Sequence, residues 1–271
     1  MSPIRTPAQV FDAIQQAKAG ATAFCTNFFP VDSKLQAWIA HGELSVAWHP
    51  GAAFFFRNDR DFQRLYFCAA NESALEQGLA VTPALKTGRV MTDLVGNEAA
   101  LSRLLPVIEQ SGFRCYTRLQ RLARIGRPET GPGTSSTDFA ESTDAAAVLR
   151  LIENAFDRYG EQLPTPYEIE SAIQHRQVLV ARHDGELSGL LFFETQGLAS
   201  TVRFWAVAEK FHSRRIGSAL MQHYFQIHGP VRRFSLWVNS GNENAITKYR
   251  HYGYTPDGLI DQALANAKIP A

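Results

Sequence analysis

The chain is most tightly constrained over residues 202–225. Residues 202–207 read Val-Arg-Phe-Trp-Ala-Val, dense in β-branched and aromatic side chains, which predicts a strand. A polar turn follows. From His212 the chain runs His-Ser-Arg-Arg-Ile-Gly-Ser-Ala into an amphipathic helix, where Ile216, Leu220, Met221, Tyr224 and Phe225 recur at helical spacing. Strand, turn and helix leave unpaired backbone N–H groups and the positive end of a helix dipole aimed at one point, an arrangement that receives an anion such as a pyrophosphate. Gly217, Ser218 and Ala219 are small enough to let phosphates approach the main chain, and Arg214 and Arg215 add positive charge there. The competing reading is a solvated basic helix start, and spacing alone does not separate the two.

A second block lies further on. The turn segment from His212 resembles the acyl-coenzyme A loop of the GNAT superfamily of N-acyltransferases, Gln/Arg-x-x-Gly-x-Gly/Ala, which joins that family's fourth strand to its third helix. His212 falls on Gln/Arg, Arg215 on the first glycine, and Gly217 matches the last position. Asn242-Glu-Asn-Ala245-Ile-Thr-Lys-Tyr249-Arg-His-Tyr-Gly253-Tyr254 resembles the family's Asn-x-x-Ala-x-x-x-Tyr-x-x-x-Gly-Phe/Tyr segment with every spacing intact. The resemblance covers residues 137–260. It implies an α+β domain with a mixed, mostly antiparallel central sheet flanked by helices, in which two adjacent parallel strands splay apart.

Length and composition set the bounds. With 271 residues, the chain has room for two domains of ordinary size or one large one. Hydrophobic content of 45% with 20% charged residues is that of a globular protein, and a net charge of +1 gives no general pull toward nucleic acid or an anionic membrane. Cys25, Cys68 and Cys115 are far apart, without spacing that suits zinc, and read as reduced structural thiols, so no metal is expected. The N-terminal Met-Ser-Pro-Ile-Arg-Thr-Pro lacks the apolar core of a signal peptide, and no run approaches the roughly 18 apolar residues that span a bilayer, so a cytoplasmic address is expected.

Thr6-Pro7-Ala8-Gln9 predicts a capped helix start, with Val10, Phe11, Ile14 and Ala17 as its buried stripe and Gly20 as its end. Strands are predicted over 22–28, 44–48, 52–56 and 64–69, a helix over 71–79, and then strand, helix, strand over 89–94, 98–110 and 114–123. Residues 127–137 are dense in Pro, Gly, Ser and Thr with no apolar period, which marks a linker. The expected organisation is an N-terminal α+β domain over 1–126, a linker over 127–136 and an acyltransferase domain over 137–271. Beyond the linker come a short strand over 137–141, helices over 142–159 and from the Thr165-Pro-Tyr-Glu168 capping box, and a hairpin around His183-Asp-Gly-Glu186. The order from residue 137 onward is the GNAT order. Val90-Met-Thr-Asp-Leu-Val-Gly-Asn97, a helix and Ser111-Gly-Phe113 resemble Leu236-Trp-Val-Asn-Ser-Gly-Asn242, a helix and Tyr252-Gly-Tyr254. Tandem GNAT-like domains follow, the first degenerate because it has no glycine- and arginine-bearing turn; the alternative is an unrelated α+β domain ending in a common unit.

The resemblance implies direct transfer of an acetyl or other short acyl group from acetyl-coenzyme A, or another acyl-coenzyme A, to a primary amine of a small molecule or peptide, within a ternary complex. By the same resemblance the strands of 202–207 and 234–238 splay apart. Main-chain groups of Ala206 and Val207 would then hold the pantetheine arm, with the Val207 N–H near the thioester oxygen. His212, Ser213, Arg214, Arg215, Ile216, Gly217 and Ser218 would meet the pyrophosphate, and Tyr249 would protonate the leaving thiolate. Tyr249 also fits a core tyrosine, and Asn242 fits either a pantetheine contact or a helix cap. Glu194 is the nearest carboxylate for a general base, against a plain surface glutamate; ordered water is the alternative base. Arg203, Trp237 and Tyr159 are candidates for the acceptor site. Two other readings remain: a non-catalytic acyl-coenzyme A sensor, and a tandem-GNAT transferase that takes aminoacyl groups from transfer RNA, against which the near-neutral charge argues.

Overall fold

The computed structural model describes residues 1–128, 137–212, 214–266 and 268–269. Its internal contacts divide the chain into unit 1, Met1–Leu119 with Gly258–Ala271, and unit 2, Gln120–Asp257. The expected boundaries put residues 137–271 in one domain; here the C-terminal segment from Gly258 belongs to unit 1. Strand pairing is the reason, since residues 260–265 run antiparallel to 91–96. Of the expected linker, residues 129–136 lie outside the described residues.

Unit 1 runs β1 (Ser2–Pro3), α1 (Pro7–Lys18), β2 (Cys25–Thr26), α2 (Asp32–Ala40), β3 (Leu44–His49), β4 (Ala52–Asp59), β5 (Phe62–Ala69), α3 (Glu72–Val81), α4 (Pro83–Thr87), β6 (Val90–Gly96), α5 (Glu98–Gln110) and into β7 (Phe113–Ile125). Unit 2 runs β8 (Thr137–Phe139), α6 (Ala145–Ala155), α7 (Pro166–Gln174), β9 (Val178–His183), β10 (Glu186–Gln196), β11 (Ala199–Val207), α8 (Ile216–Ile227), β12 (Arg233–Asn239), α9 (Glu243–His251) and into β13 (Thr255–Asn266). Apart from β2 and α4, which have no counterpart in unit 2, the two orders match: a short strand, two helices, a three-strand meander, helix, strand, helix. This is the tandem GNAT-like α+β architecture expected. The sheet of unit 1 is ordered β1-β3-β4-β5-β6-β13 and that of unit 2 β12-β11-β10-β9-β8.

In unit 2, the pairing of β10 with β11 skips Arg203, and this bulge turns Val202 and Phe204, two residues apart, to opposite faces of the sheet, so β11 serves two cores. Val202 joins Leu220, Tyr224, Phe225 and Ile246 on the side of α8 and α9. Phe204 and Ala206 join Val148, Ile152, Leu163 and Ile169 on the side of α6 and α7. The hairpin between β9 and β10 turns through Asp184 (φ 51°) and Gly185 (φ 79°), a pair of left-handed residues whose twist matches that of the strands. α7 starts with the expected capping box: the Thr165 N–H donates to Glu168 Oε2 at 2.8 Å and the Glu168 N–H to Thr165 Oγ1 at 3.3 Å.

Two local expectations differ. The helix expected over 142–159 is a 3-10 turn followed by α6, ending at Ala155. It stops because Phe156 turns extended to pack its ring 5.0 Å from Phe204, and Asp157 then accepts the N–H groups of Tyr159 and Gly160 at 3.1 Å each. The strand expected over 22–28 is reduced to β2, which pairs with Ala69 and Cys68 of β5. Cys25 and Cys68 are buried thiols whose pKa values burial pushes up to about 11, and Cys115 is exposed. Among the described residues no helix is long and apolar enough to cross a membrane, and no group of three or more His, Cys, Asp or Glu is placed to hold a metal ion.

Candidate active site

β11 and β12 run parallel and pair over four positions, Ala199 with Arg233 through Val202 with Leu236. At the closed end Thr201 Oγ1 and Ser235 Oγ share a hydrogen bond of 2.9 Å. The ladder stops there, and among the described residues no strand is inserted between 203–207 and 237–239. A parallel pair that parts in mid-sheet leaves backbone groups for a ligand to satisfy. Ala206 and Val207 lie on the parted stretch of β11, and Trp237 lies on that of β12.

α8 begins beside this gap without a side-chain cap and with no acidic residue in its first turn. Its first N–H groups are therefore left for solvent or an anion. Arg215 sits at the N-cap in the left-handed conformation, φ 58° and ψ 16°. That is the physical reason for the family's glycine at this position, and an arginine there carries a conformational cost of about 1 kcal/mol. Arg215 and Ser218 are exposed, and Ile216 packs inward against the core of unit 2. Arg214 stacks on Phe211 and hydrogen-bonds His183. The exposed His212 places Nε2 3.0 Å from the Val207 carbonyl, which ties the turn back to the end of β11. Ser213 lies outside the described residues. Gly217 has a second reason to be glycine, because a Cβ there would come within 3.0 Å of the Trp205 ring.

Trp205 carries the gap inward. Its ring lies 5.5 Å from that of Tyr249 on α9 and 6.0 Å from that of Tyr252, and its Nε1 is buried without a hydrogen-bond partner among the described residues. A buried orphan indole N–H at the mouth of a parted strand pair fits a ligand that supplies acceptor atoms, as a pantetheine amide does. Tyr249 packs partly buried against the α8 and α9 core. Burial, and secondly the charge of Glu161, push its pKa up, so the phenol stays protonated. Asn242 is the cap of α9, its side chain accepting the Ala245 N–H at 3.0 Å.

On the other face, Arg203 Nη1 donates to Glu194 Oε1 at 2.8 Å, and Arg203 Nη2 reaches the Gln162 carbonyl at 3.5 Å. Glu194 is thus a carboxylate engaged by a guanidinium. Tyr159 is covered by Arg158, whose Nη2 donates to the phenol oxygen at 2.9 Å. Arg121 lies over the Trp237 ring at 5.9 Å. The structure therefore brings Ala206, Val207, His212 and the start of α8 to one end of the gap, while Arg203 and Glu194 sit together on the α6–α7 face.

The sequence offers no signal for Glu161. It lies in the loop between α6 and α7, which Leu163 pins into the same core as Phe204 and Ala206. Its Oε2 is sealed from solvent, and burial, with the charge of Asp157 second, pushes its pKa up to about 7. Only the fold shows that a glutamate in a polar loop is half-buried with one carboxylate oxygen sealed.

The family model for GNAT acetyltransferases matches residues 146–254. Among solved structures, a tandem GNAT protein of the clavulanic acid biosynthesis pathway, solved without acetyl-coenzyme A, aligns over 100% of this chain and 98% of its own, with 12% identity and a TM-score of 0.62. A GCN5-related N-acetyltransferase from Sphaerobacter thermophilus aligns over 97% and 92%, with 17% identity and a TM-score of 0.59. One from Kribbella flavida aligns over 89% and 97%, with 14% identity and a TM-score of 0.57. At these identities the likeness is one of fold. No curated protein sequence matches the chain. Residues 146–254 thus form a domain of the GNAT acetyltransferase type.

Proposed function

We propose that unit 2 moves an acetyl or other short acyl group from acyl-coenzyme A to a primary amine, by direct attack in a ternary complex. The observation that carries this reading is the β11–β12 ladder ending at Val202 and Leu236, with Tyr249 beside the parted strands and the uncapped start of α8 at their edge. Bound there, the cofactor supplies the activated acyl group as a thioester. The first N–H groups of α8, together with Arg214 and Arg215, suit its pyrophosphate, and the open backbone of Ala206 and Val207 suits its pantetheine arm. A phenol held protonated is a proton donor in waiting, which gives Tyr249 the part of protonating the departing thiolate. Arg203, Tyr159 and Trp237 are the residues proposed to meet the amine. The cytoplasmic address expected from the sequence belongs to the same proposal.

A sensor that binds acyl-coenzyme A without turning it over is the second reading, favoured by the arginine that replaces the loop glycine at position 215. Free-thiol release with acetyl-coenzyme A and a panel of amines separates the two. Turnover is expected, with Tyr249→Phe about 100-fold slower and its acetyl-coenzyme A affinity unchanged. Equal turnover in that variant would make the tyrosine structural. Binding without thiol release for any amine would leave the sensor.

A further inference from the structure

Tyr249 packs with the α8 and α9 core, whereas Glu161 comes from the loop over the α6 and α7 core. They belong to opposite faces of the sheet, yet the Glu161 charge reaches the Tyr249 phenol. β11 lies between the two cores, with Phe204 turned to one face and Trp205 to the other at the level where β12 has parted from it. The loop is held in this place rather than hanging in solvent. Leu163 is 2% exposed in the core, the Glu161 N–H donates to the Asp157 carbonyl at 2.9 Å, and Arg203 grips the Gln162 carbonyl. Glu194, the other carboxylate on this face, is committed to Arg203 at 2.8 Å.

We propose that Glu161 is the base that takes the proton from the attacking amine, opposite Tyr249 across the parted strands; this rests on the acyltransfer reading above. An ammonium R–NH3⁺ gives up two protons in becoming R–NH–CO–R′. Glu161 accepts the first, which frees the nitrogen lone pair to attack, and the second leaves nitrogen for solvent once the N–C bond has formed and the C–S bond breaks. The electron pair leaves with sulfur, which takes the Tyr249 phenolic proton, and the phenolate is reset by a proton returned from the Glu161 side. One proton ends on the thiol and the other in solvent. A carboxyl poised near neutral pH is well matched to this task, since it is half in its basic form yet strong enough to draw a proton from an ammonium. Burial sets its titration first and the charge of Asp157 second; Arg158 and Tyr159 share its loop, Arg203, paired with Glu194, holds the neighbouring Gln162 carbonyl, and Tyr249 is the phenol that its charge reaches.

The test uses the full chain, with kcat/KM measured from about pH 5.5 to 9 for an amine that turns over. The wild type should show a rising limb centred near pH 7. Glu161→Gln should lose at least ~100-fold in kcat and lose that limb, while acetyl-coenzyme A affinity, measured by calorimetry, stays within about twofold. Asp157→Asn removes the charge that helps to raise the Glu161 pKa and should move the limb to lower pH without abolishing activity. Full activity with an unchanged limb in Glu161→Gln would overturn the assignment. So would a limb that stays in place in Asp157→Asn, which also answers the question if the glutamine variant fails to fold. A wild type that does not bind acetyl-coenzyme A would instead overturn the reading on which this proposal stands.

Discussion

Both units pair two parallel strands at one end and let them part, but they treat the gap in opposite ways. In unit 1, β5 and β6 pair only at Gln63 with Val90 and Arg64 with Met91. Beyond that point the chain closes its own opening. The Asn27 amide donates to the Leu65 carbonyl at 3.2 Å, to the Asp93 carbonyl at 3.0 Å and to Thr92 Oγ1 at 3.0 Å, and its oxygen accepts the Phe67 N–H at 2.7 Å. The Phe67 carbonyl is taken by the Thr26 hydroxyl at 2.6 Å and by the Asn27 N–H at 3.3 Å. Polar groups that a ligand would satisfy are satisfied by the loop between α1 and α2. In unit 2 the corresponding loop, between α6 and α7, does not enter as a strand and instead brings Glu161 near the gap.

The helices that follow the meander differ in the same sense. α3 is capped by Asn71, which accepts the Ala74 N–H at 2.9 Å, and carries Glu72 in its first turn. An acidic, satisfied helix start repels an anion. α8 is uncapped, has no acidic first turn and follows two arginines. One architecture thus gives a closed copy and an open one, and the difference lies in one short strand and a handful of side chains. On the α1–α2 face of unit 1, Arg64 is fully buried between Asp59 at 2.9 Å and Asp93 at 3.3 Å, which adds a structural ion network with no counterpart expected from the sequence.

The largest effect that would break this comparison is at Asn27. Asn27→Ala should destabilise unit 1 by about 2–4 kcal/mol in denaturant unfolding, because the buried Phe67 N–H and Leu65 carbonyl lose a partner, and should leave acetyl-coenzyme A affinity unchanged. A neutral effect would mean that the gap of unit 1 is not held shut by this residue. Arg215→Gly should act in two directions at once. Relief of the left-handed backbone should raise stability by up to about 1 kcal/mol, while loss of the charge should weaken acetyl-coenzyme A binding by about two- to fivefold. Unchanged affinity would separate Arg215 from the phosphate site.

The sequence foretold those parts of the molecule whose signals are local. The Thr165–Glu168 capping box, the Asp184–Gly185 hairpin and the paired blocks around Gly217 and Tyr249 depend on neighbours within a few residues, and each stands where it was expected. Non-local pairing was not legible. Nothing in Cys25-Thr-Asn27 says that it will pair with β5, 41 residues on for the Thr26 hydroxyl, and nothing in the last strand says that it will cross to β6. Glu161 was hidden for the same reason, since a carboxyl becomes a base near neutral pH only when distant residues bury it. Glu194 had the reverse fate: it was conspicuous on the strand, but its partner Arg203 is visible only once the strands are aligned.

The central claim, one open gap and one closed, is tested most directly by the stoichiometry of a calorimetric titration of acetyl-coenzyme A into the full chain. The account predicts a single site per chain; two sites would contradict the closed copy, and none would contradict the open one.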